Sequence, residues 1–290
     1  MTKDQALGAI LGGVVGDALG TTLEFSHKIQ HDRSLWHTEI TGGGPFNMPA
    51  GGWTDDTSMM LGLMDTYLKK GFLDVEHLMK NFVAWYQDGD FSHTGGCFDI
   101  GNATLDALTR YQRSGNPIAG STDPFSSGNG GIMRLSPAVV ANHQFEEQAL
   151  NDAVRQSETT HRSLECLLYA KAMAKILFYG DIEVEQDSEV QHLPSSTPWK
   201  EVLSGGYVKE TYQCAVWAIQ NTDTFEEALI HTVNRGYDAD TTGAVVGQMA
   251  GAIYGLSAIP DRWLDKVLWK NQILNQASRL FDQSGPAVSK

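Results

Sequence analysis

The sequence predicts an all-α protein. Apolar residues recur at helical spacing along most of the chain, and the alternation typical of strands is almost absent. The best strand candidate, residues 182–190, is short, acidic and interrupted. Because its linkers rich in Gly, Ser, Asn and Pro mark no domain boundary, residues 1–290 are predicted to form one large helical domain. These linkers span 41–52, 114–131 and 186–198.

Six segments carry the periodicity of an amphipathic helix. In residues 59–68 the side chains of Met59, Leu63 and Tyr67 fall on one face, and Gly71 follows as a stop signal. Pro260 precedes the last segment at a position where a first-turn proline is tolerated. The other predicted helices cover 74–86, 161–179, 209–220, 223–233 and 261–281.

Glycine recurs at spacing four in two further segments that are predicted to be helical. A glycine inside a helix costs up to about 1 kcal/mol relative to alanine, so eight of them need a reason. A row of glycines removes the side chains from one face, which lets another backbone approach closely. Both helices are therefore predicted at the centre of the bundle, where they can pack against each other; the other interpretation is chance spacing. The rows are Gly8, Gly12, Gly16 and Gly20, and Gly243, Gly247, Gly251 and Gly255.

Composition limits the class of protein. The formal charge of -14, from 21 basic and 35 acidic residues, argues against a nucleic-acid scaffold, which needs a basic stripe. Three cysteines lie far apart without a CxxC pair, which is typical of a reducing compartment. No stretch reaches the roughly 18 apolar residues that a membrane span requires. The apolar N-terminal run contains Asp17 and regular glycines, unlike a signal peptide. A cytoplasmic protein without membrane contact is expected.

Two clusters of carboxylates stand at the starts of predicted helices. Either cluster could cap its helix, because Thr and Asp side chains satisfy free backbone N–H groups there. Paired aspartates at both helix starts exceed what capping needs, and hard cations such as Mg²⁺ or Mn²⁺ neutralise such groups. The carboxylate count favours two divalent ions, while capping and independent surface loops remain open interpretations. The clusters are Thr54, Asp55, Asp56 and Thr57, and Asp238, Asp240, Thr241 and Thr242.

Several polar turns are weaker candidates for ligand binding. The loop Ser127–Gly131 is rich in Gly and Asn, so that its N–H groups could converge on an anion, with Arg134 supplying charge nearby. One predicted helix begins near Asp99 and Asn102. Another begins near Thr160 and His161, with Thr160 as its capping residue. Taken singly, such loops are more often plain turns. His27 and His31 have the spacing of zinc ligands without the HExxH context and are interpreted as a surface pair.

Together these segments resemble the ADP-ribosylglycohydrolase family, and specifically its dinitrogenase-reductase-activating type. The order and spacing of the motifs agree over nearly the whole chain. The matching elements are Gly16-Asp17 with Glu24, TDDT at 54–57, DIGN at 99–102, SGNGGIMR at 127–134, Thr160-His161, GYVKETY at 206–212 and the segment 221–255. The resemblance implies a compact, all-α orthogonal bundle of many helices with a binuclear Mg²⁺ or Mn²⁺ centre.

The resemblance also implies roles for individual residues. Glu24 matches a base or movable ligand near the metals, and Asp99 matches an aspartate that faces the scissile linkage, so both are expected to be catalytic. Tyr237 stands where many members have a second glycine, and it is expected to narrow the substrate entrance. Expected metal ligands are Thr54, Asp55, Asp56, Asp238, Asp240 and Thr241. Expected substrate-binding residues are Asn102, Ser127, Gly128, Asn129, Gly130, Gly131, Met133, His161 and Tyr207, of which the glycine loop and His161 hold the diphosphate and Tyr207 the adenine.

The implied function is hydrolysis of the N-glycosidic bond between ADP-ribose and an arginine of a modified protein. Both the ADP-ribosylated protein and ADP-ribose are thus expected partners. Other ADP-ribosyl linkages, to serine, acetate or nucleic acid, remain alternatives. So does a non-catalytic protein that reads ADP-ribose or gives immunity by occluding a transferase toxin, although the full acidic set favours catalysis. A generic two-metal phosphohydrolase is disfavoured because metal-binding histidines are lacking.

Overall fold

The computed structural model describes residues 1–26, 32–185 and 189–283, so that His27 and His31 lie outside the described residues, as does part of the strand candidate 182–190. Twelve α-helices and no strand occur in the described ranges, which confirms the predicted all-α class. The helices are α1 Lys3–Gly20, α2 Asp55–Lys70, α3 Val75–Asp88, α4 Asn102–Ser114, α5 Ser136–Ala141, α6 Glu146–Glu158, α7 Leu164–Tyr179, α8 Val208–Gln220, α9 Phe225–Val233, α10 Ala239–Tyr254, α11 Asp261–Leu264 and α12 Lys270–Asp282. None of the described helices is long and apolar enough to cross a membrane.

Helices α1 and α10 form the centre of the bundle, and the prediction from the glycine rows is confirmed. Glycines of one helix face the backbone of the other: Gly8 opposes Gly251, Gly12 opposes Gly247 and Gly16 opposes Gly243. The pairing order shows that the two helices run antiparallel. A Cβ on any of these glycines would fall far inside the contact distance of the opposing carbonyl oxygen. The rows therefore allow a backbone-to-backbone contact that no other residue type permits.

Antiparallel packing places the end of α1 beside the start of α10. Gly20, the last residue of α1, lies against the backbone of Ala239 and Asp240. Asp17 and Glu24 from the first segment thereby come near the predicted metal ligands Asp238 and Asp240. The glycine contact thus sets the distance between acidic residues that are more than 200 positions apart in sequence.

Helix α2 follows its predicted course. It extends the predicted 59–68 segment to Asp55–Lys70 and ends at Gly71, whose φ of 78° is the left-handed conformation that glycine adopts readily. The prediction that Thr160 caps the helix of 161–179 is wrong. Helix α7 begins at Leu164, and the Ser163 side chain accepts its capping bond from the Cys166 amide.

The predicted continuous helix over 261–281 is wrong, because α11 and α12 are separated at residues 265–269. The Leu268 amide donates to the Gly51 carbonyl, and the indole N–H of Trp53 donates to the Leu268 carbonyl. Trp269, with a φ of 58°, packs edge-on against Trp53 at 5.4 Å between ring centroids. These long-range contacts outweigh the local helical periodicity.

Replacing Gly247 with alanine should disrupt the central helix pair. The new methyl group would overlap the Gly12 carbonyl, so α1 and α10 must separate, and we expect a loss of about 3 kcal/mol in the free energy of unfolding. Gly62→Ala in α2 is the matched control, because its Cβ would lie 3.5 Å from the Phe82 ring, an ordinary contact. That change should be neutral or stabilise by up to about 1 kcal/mol. Urea denaturation measures both, and equal effects would contradict this packing.

Candidate metal and substrate site

A cavity of about 600 Å³ lies at the α1–α10 junction. Its size is in the range of small-molecule sites. Most of the predicted site residues line it, although they come from segments spread over the whole chain. The predicted residues on its wall are Glu24, Asp55, Asp99, Asn102, Gly128, Asn129, Gly130, Met133, His161, Asp238, Asp240 and Thr241.

Carboxyl groups from four segments converge on one part of the wall of this cavity. One oxygen from each of Glu24, Asp99 and Asp240 lies within 4.8 Å of the other two, which is close enough to share a cation. Glu24 and Asp99 were expected as catalytic groups, and the structure places them among potential metal ligands as well. Asp55 and Asp238 also face the cavity, whereas Asp56 is buried behind them.

Helix capping by the predicted clusters does not account for their positions. Thr54 and Asp238 occupy the positions that precede α2 and α10, yet neither side chain caps its helix. The Thr54 hydroxyl instead lies 3.2 Å from both Asp56 Oδ2 and Asp240 Oδ2. Thr241 Oγ1 lies 3.2 Å from the same Asp56 oxygen. A hydroxyl has one proton and cannot donate to several carboxylates at once. None of the ion pairs within the described residues involves these carboxylates.

Asp17 performs the capping that Thr54 does not. Its carboxylate accepts bonds from the Thr54 and Thr57 amides at 2.9 and 3.1 Å, and from the Thr57 hydroxyl at 2.6 Å. These are the free N–H groups at the start of α2, satisfied here from another helix. Asp17 was absent from the predicted ligand and catalytic sets. The signal that could have found it is a carboxylate within the apolar, glycine-rich segment of α1.

Three carboxylate oxygens indicate that a cation fits this site. Among the described residues, Glu24 Oε2, Asp56 Oδ1 and Asp240 Oδ1 are buried and have no hydrogen-bond partner. Buried carboxylates without partners are strongly unfavourable unless they bind a positive charge. Oxygen donors of this kind are what Mg²⁺ and Mn²⁺ prefer. The residues present thus fit a site for hard divalent ions.

Electrostatic repulsion in the cluster is large. Burial, and then the negative charge of Asp240, raise the pKa of Glu24 to about 11 and that of Asp99 to about 9. Burial raises the pKa of Asp55 well above its ordinary value, with Asp56 as the next cause. Each pKa shift has the direction expected for carboxyl groups that lack a neutralising charge.

The loop Ser127–Gly131 positions other side chains. A Cβ on Gly130 would lie 2.5 Å from His161 Cε1, so this glycine leaves room for the imidazole. The Asn129 side-chain amide donates to Asp238 Oδ2 at 2.6 Å and to the Thr211 hydroxyl at 2.9 Å. Gly131 packs against Ser157, away from the cavity wall. The loop therefore connects the acidic cluster to the opposite wall.

Two of the expected substrate-binding residues lie in a neighbouring depression. Ser127 and Tyr207 line a second cavity of about 680 Å³, which shares Asn102 and Gly128 with the first. The Tyr207 hydroxyl donates to Glu165 at 2.5 Å. The two cavities together form one elongated surface that begins at the acidic cluster.

Arg134 lies behind this surface and not on it, so its charge is nearby, as expected, but out of contact with a ligand in the cavity. Its guanidinium is fully buried, stacks at 4.7 Å over the Phe82 ring and donates to Gln156 Oε1 and the Thr160 hydroxyl. The turn that follows the glycine loop directs this side chain into the core. Arg134 therefore acts from behind the cavity wall.

Phe25 and Tyr237 flank the acidic end of the cavity. Both have left-handed backbones, with φ values of 56° and 57°, and the Phe25 amide donates to the Tyr237 carbonyl at 2.6 Å. Both side chains are exposed and line the cavity next to Glu24 and Asp238. A left-handed backbone is a conformation that glycine adopts readily and tyrosine rarely. Tyr237 thus lies on the cavity wall, and a narrower entrance stays a prediction.

The family model for ADP-ribosylglycohydrolase matches residues 1–288. The chain belongs to the ADP-ribosylglycohydrolase family. It is 39% identical to the ADP-ribosylarginine hydrolase Tri1 of Pseudomonas putida (strain GB-1), over 97% of this chain and 79% of that protein. It is 34% identical to the ADP-ribosyl-[dinitrogen reductase] glycohydrolase of Rhodospirillum rubrum, over 97% of both chains.

Structural comparison agrees with the family assignment. A solved chain described as an ADP-ribosylglycohydrolase-related protein complex superimposes with a TM-score of 0.83 at 35% identity, covering 98% of this chain and 99% of that chain. The helical fold expected from the motifs is therefore confirmed for this ADP-ribosylglycohydrolase.

Replacing Asp17 with asparagine should destabilise this glycohydrolase through the start of α2. The introduced amide N–H₂ would face donors, so at least two charge-assisted hydrogen bonds are lost, at about 2 to 3 kcal/mol in the free energy of unfolding. Asp74→Asn is the control, since Asp74 caps α3 away from the cavity and asparagine caps almost as well. Urea denaturation in a chelator measures both. A loss no larger than in the control would refute the role of Asp17.

Proposed function

We propose that this protein hydrolyses the N-glycosidic bond between ADP-ribose and arginine in modified proteins. The observation that carries the proposal is the convergence of Glu24, Asp99 and Asp240 beside an elongated cavity. Relatives that are 39% identical over nearly the whole chain are named ADP-ribosylarginine hydrolases, which supports the arginine linkage. ADP-ribosylated protein is the substrate and ADP-ribose the product.

Two Mg²⁺ or Mn²⁺ ions form part of the proposal. Asp55, Asp238 and Asp240 on the cavity wall, Asp56 behind it, and the hydroxyls of Thr54 and Thr241 would hold them, with Glu24 and Asp99 close by. When bound, the ions supply positive charge that holds and orients the ribose hydroxyls. The buried oxygens of Glu24, Asp56 and Asp240 that lack partners support this assignment.

The chain's own residues supply the remaining steps. Positive charge bound in the cluster would lower the raised pKa of Glu24 and Asp99, so that one of them is an ionised carboxylate. That carboxylate takes the proton from the attacking water, the bond from the anomeric carbon to the guanidinium nitrogen breaks, and the released guanidine takes up a proton. The acidic surroundings favour a ribose that becomes cationic in the transition state. The glycine loop and His161 hold the diphosphate, and Tyr207 contacts the adenine in the adjoining cavity.

The entrance suits a guanidinium group. Phe25 and Tyr237 present exposed aromatic rings beside the acidic cluster. A guanidinium cation stacks favourably on such rings, with a gain of about 0.5 to 2 kcal/mol. A serine linkage offers no cation to these rings.

The location proposed for the protein is the cytoplasm. All three cysteines are unpaired, and Cys166 and Cys214 are buried as small apolar side chains. Such use of cysteine is typical of reducing compartments.

Substitution of Asp240 by asparagine should abolish hydrolysis. The substitution removes one metal ligand and one negative charge that would balance the charge of the ions. We therefore expect kcat/KM for arginine-linked ADP-ribose to fall on the order of 10³-fold. Asp65→Asn in α2 is the control, because Asp65 pairs with Lys69 outside the cavity. Release of ADP-ribose from arginine-, serine- and nucleic-acid-linked substrates is compared. Preferential release from serine or nucleic acid would contradict the arginine assignment, and silence on all three would contradict hydrolysis.

Divalent ions should stabilise the fold. At a concentration 100 times its dissociation constant, an ion that binds only the native state adds about 2.7 kcal/mol to the free energy of unfolding. Mg²⁺ or Mn²⁺ should therefore raise the melting temperature of the chelated protein, measured by calorimetry. Asp240→Asn should lose most of this increase, while Asp65→Asn retains it. Equal increases in the melting temperature of the two variants would contradict this prediction, because the ions would then bind away from Asp240.

A further inference from the structure

A chain of three polar side chains runs from the core to the cavity wall. Arg134 Nη2 donates to the Thr160 hydroxyl at 2.7 Å, and that hydroxyl lies 2.9 Å from His161 Nδ1. Arg134 and Thr160 have no exposed surface, and His161 is 4% exposed. We refer to Arg134, Thr160 and His161 as the relay.

The donors and acceptors of the relay favour one arrangement of protons. A guanidinium has donors and no acceptor, so Thr160 Oγ1 must accept from Arg134. Within the described residues, the remaining contact of that hydroxyl is His161 Nδ1, so its own proton points there. Nδ1 is then the acceptor, and the proton of the neutral imidazole resides on Nε2. In the opposite tautomer Thr160 Oγ1 would accept from both Arg134 and Nδ1, which would leave the buried hydroxyl proton without an acceptor among the described residues.

The Nε2 edge of the imidazole lies at the substrate surface. A Cβ on Gly128 would be 3.1 Å from Nε2, and one on Gly130 would be 3.0 Å from it. His161 lines the cavity together with both glycines. No described residue accepts a hydrogen bond from Nε2, so this donor is available to a ligand.

The charge state of His161 agrees with this geometry. Burial, and then the charge of Arg134, lower the pKa of His161 to about 3. The imidazole therefore remains neutral at physiological pH, and a neutral imidazole has one N–H donor whose position a neighbour can set.

We propose that Arg134 and Thr160 are positioning residues that keep the His161 proton on Nε2, where it donates to an anionic oxygen of the substrate. The assignment of that oxygen to a diphosphate rests on the proposed function. The arrangement of protons in the relay does not, because it is inferred from contacts within the protein alone. The inferred role of Arg134 is thus indirect, through hydrogen bonds behind the wall.

Nitrogen-15 NMR of the histidine rings tests the arrangement directly. The His161 signals are assigned by their loss in His161→Gln. In the wild-type protein Nδ1 should have the shift of an unprotonated nitrogen and Nε2 that of a protonated one, unchanged between about pH 5 and about pH 8. A protonated Nδ1 would overturn the proposal.

Variants at two neighbouring threonines separate positioning from stability. Thr160→Val removes the hydroxyl that contacts His161, whereas Thr160→Ser restores it. Thr159→Val is the matched control, because Thr159 is equally buried and lies 3.4 Å from the same Arg134 Nη2 without contacting His161. Arg134 keeps its bonds to Gln156 in both valine variants.

Calorimetric binding of ADP-ribose is the functional readout. We expect Thr160→Val to weaken binding about tenfold and to shift the His161 nitrogen signals, with Thr160→Ser near wild type and Thr159→Val unchanged. Equal weakening in Thr159→Val and Thr160→Val, or binding that is unchanged in both, would overturn the proposal. Absence of hydrolysis in the wild-type protein would refute the proposed function. The nitrogen-15 shifts and the binding of ADP-ribose would still test the relay in that case.

Discussion

The direct contact between the backbones of α1 and α10 is the constraint on which the rest of the structure depends. Glycines on both helices oppose each other, so the helices approach more closely than side chains would permit. Because they run antiparallel, the end of one helix and the start of the other meet at the same place. The acidic residues that follow α1 and precede α10 are thereby brought into one cluster.

Placing these carboxylates close together lowers the stability of the fold, because they repel one another and are removed from water. The surrounding structure offsets this loss of stability only in part. Asp17 accepts four hydrogen bonds at the start of α2, which compensate its charge in part, while burial still raises its pKa to about 6. Glu24, Asp56 and Asp240 each retain a buried oxygen without such a partner among the described residues. Burying an uncompensated charge costs several kcal/mol, which is hard to reconcile with a purely structural role. The cost is understandable if the proposed metal ions bind there.

The glycine loop couples the acidic cluster to the rest of the cavity. Asn129 holds Asp238 in place, while Gly128 and Gly130 make room for the His161 ring. Behind that ring, the Thr160 hydroxyl and the buried Arg134 guanidinium orient the imidazole. This one loop therefore positions both the acidic cluster and the imidazole, although its composition indicated only an anion-binding turn.

The sequence by itself determined the helical class, the central glycine helices and most of the residues around the cavity, because periodicity, glycine spacing and paired acids are local patterns. Only the tertiary structure shows which hydrogen-bond and packing partners those residues have. Asp17, rather than Thr54, caps α2, and Arg134 turns into the core. The helix predicted over 261–281 breaks where Leu268 and Trp269 contact Gly51 and Trp53. In each case a contact between distant segments satisfies a polar group or packs an aromatic ring better than the local arrangement would. The local sequence does not specify which distant segment will make that contact, so only the tertiary structure shows it.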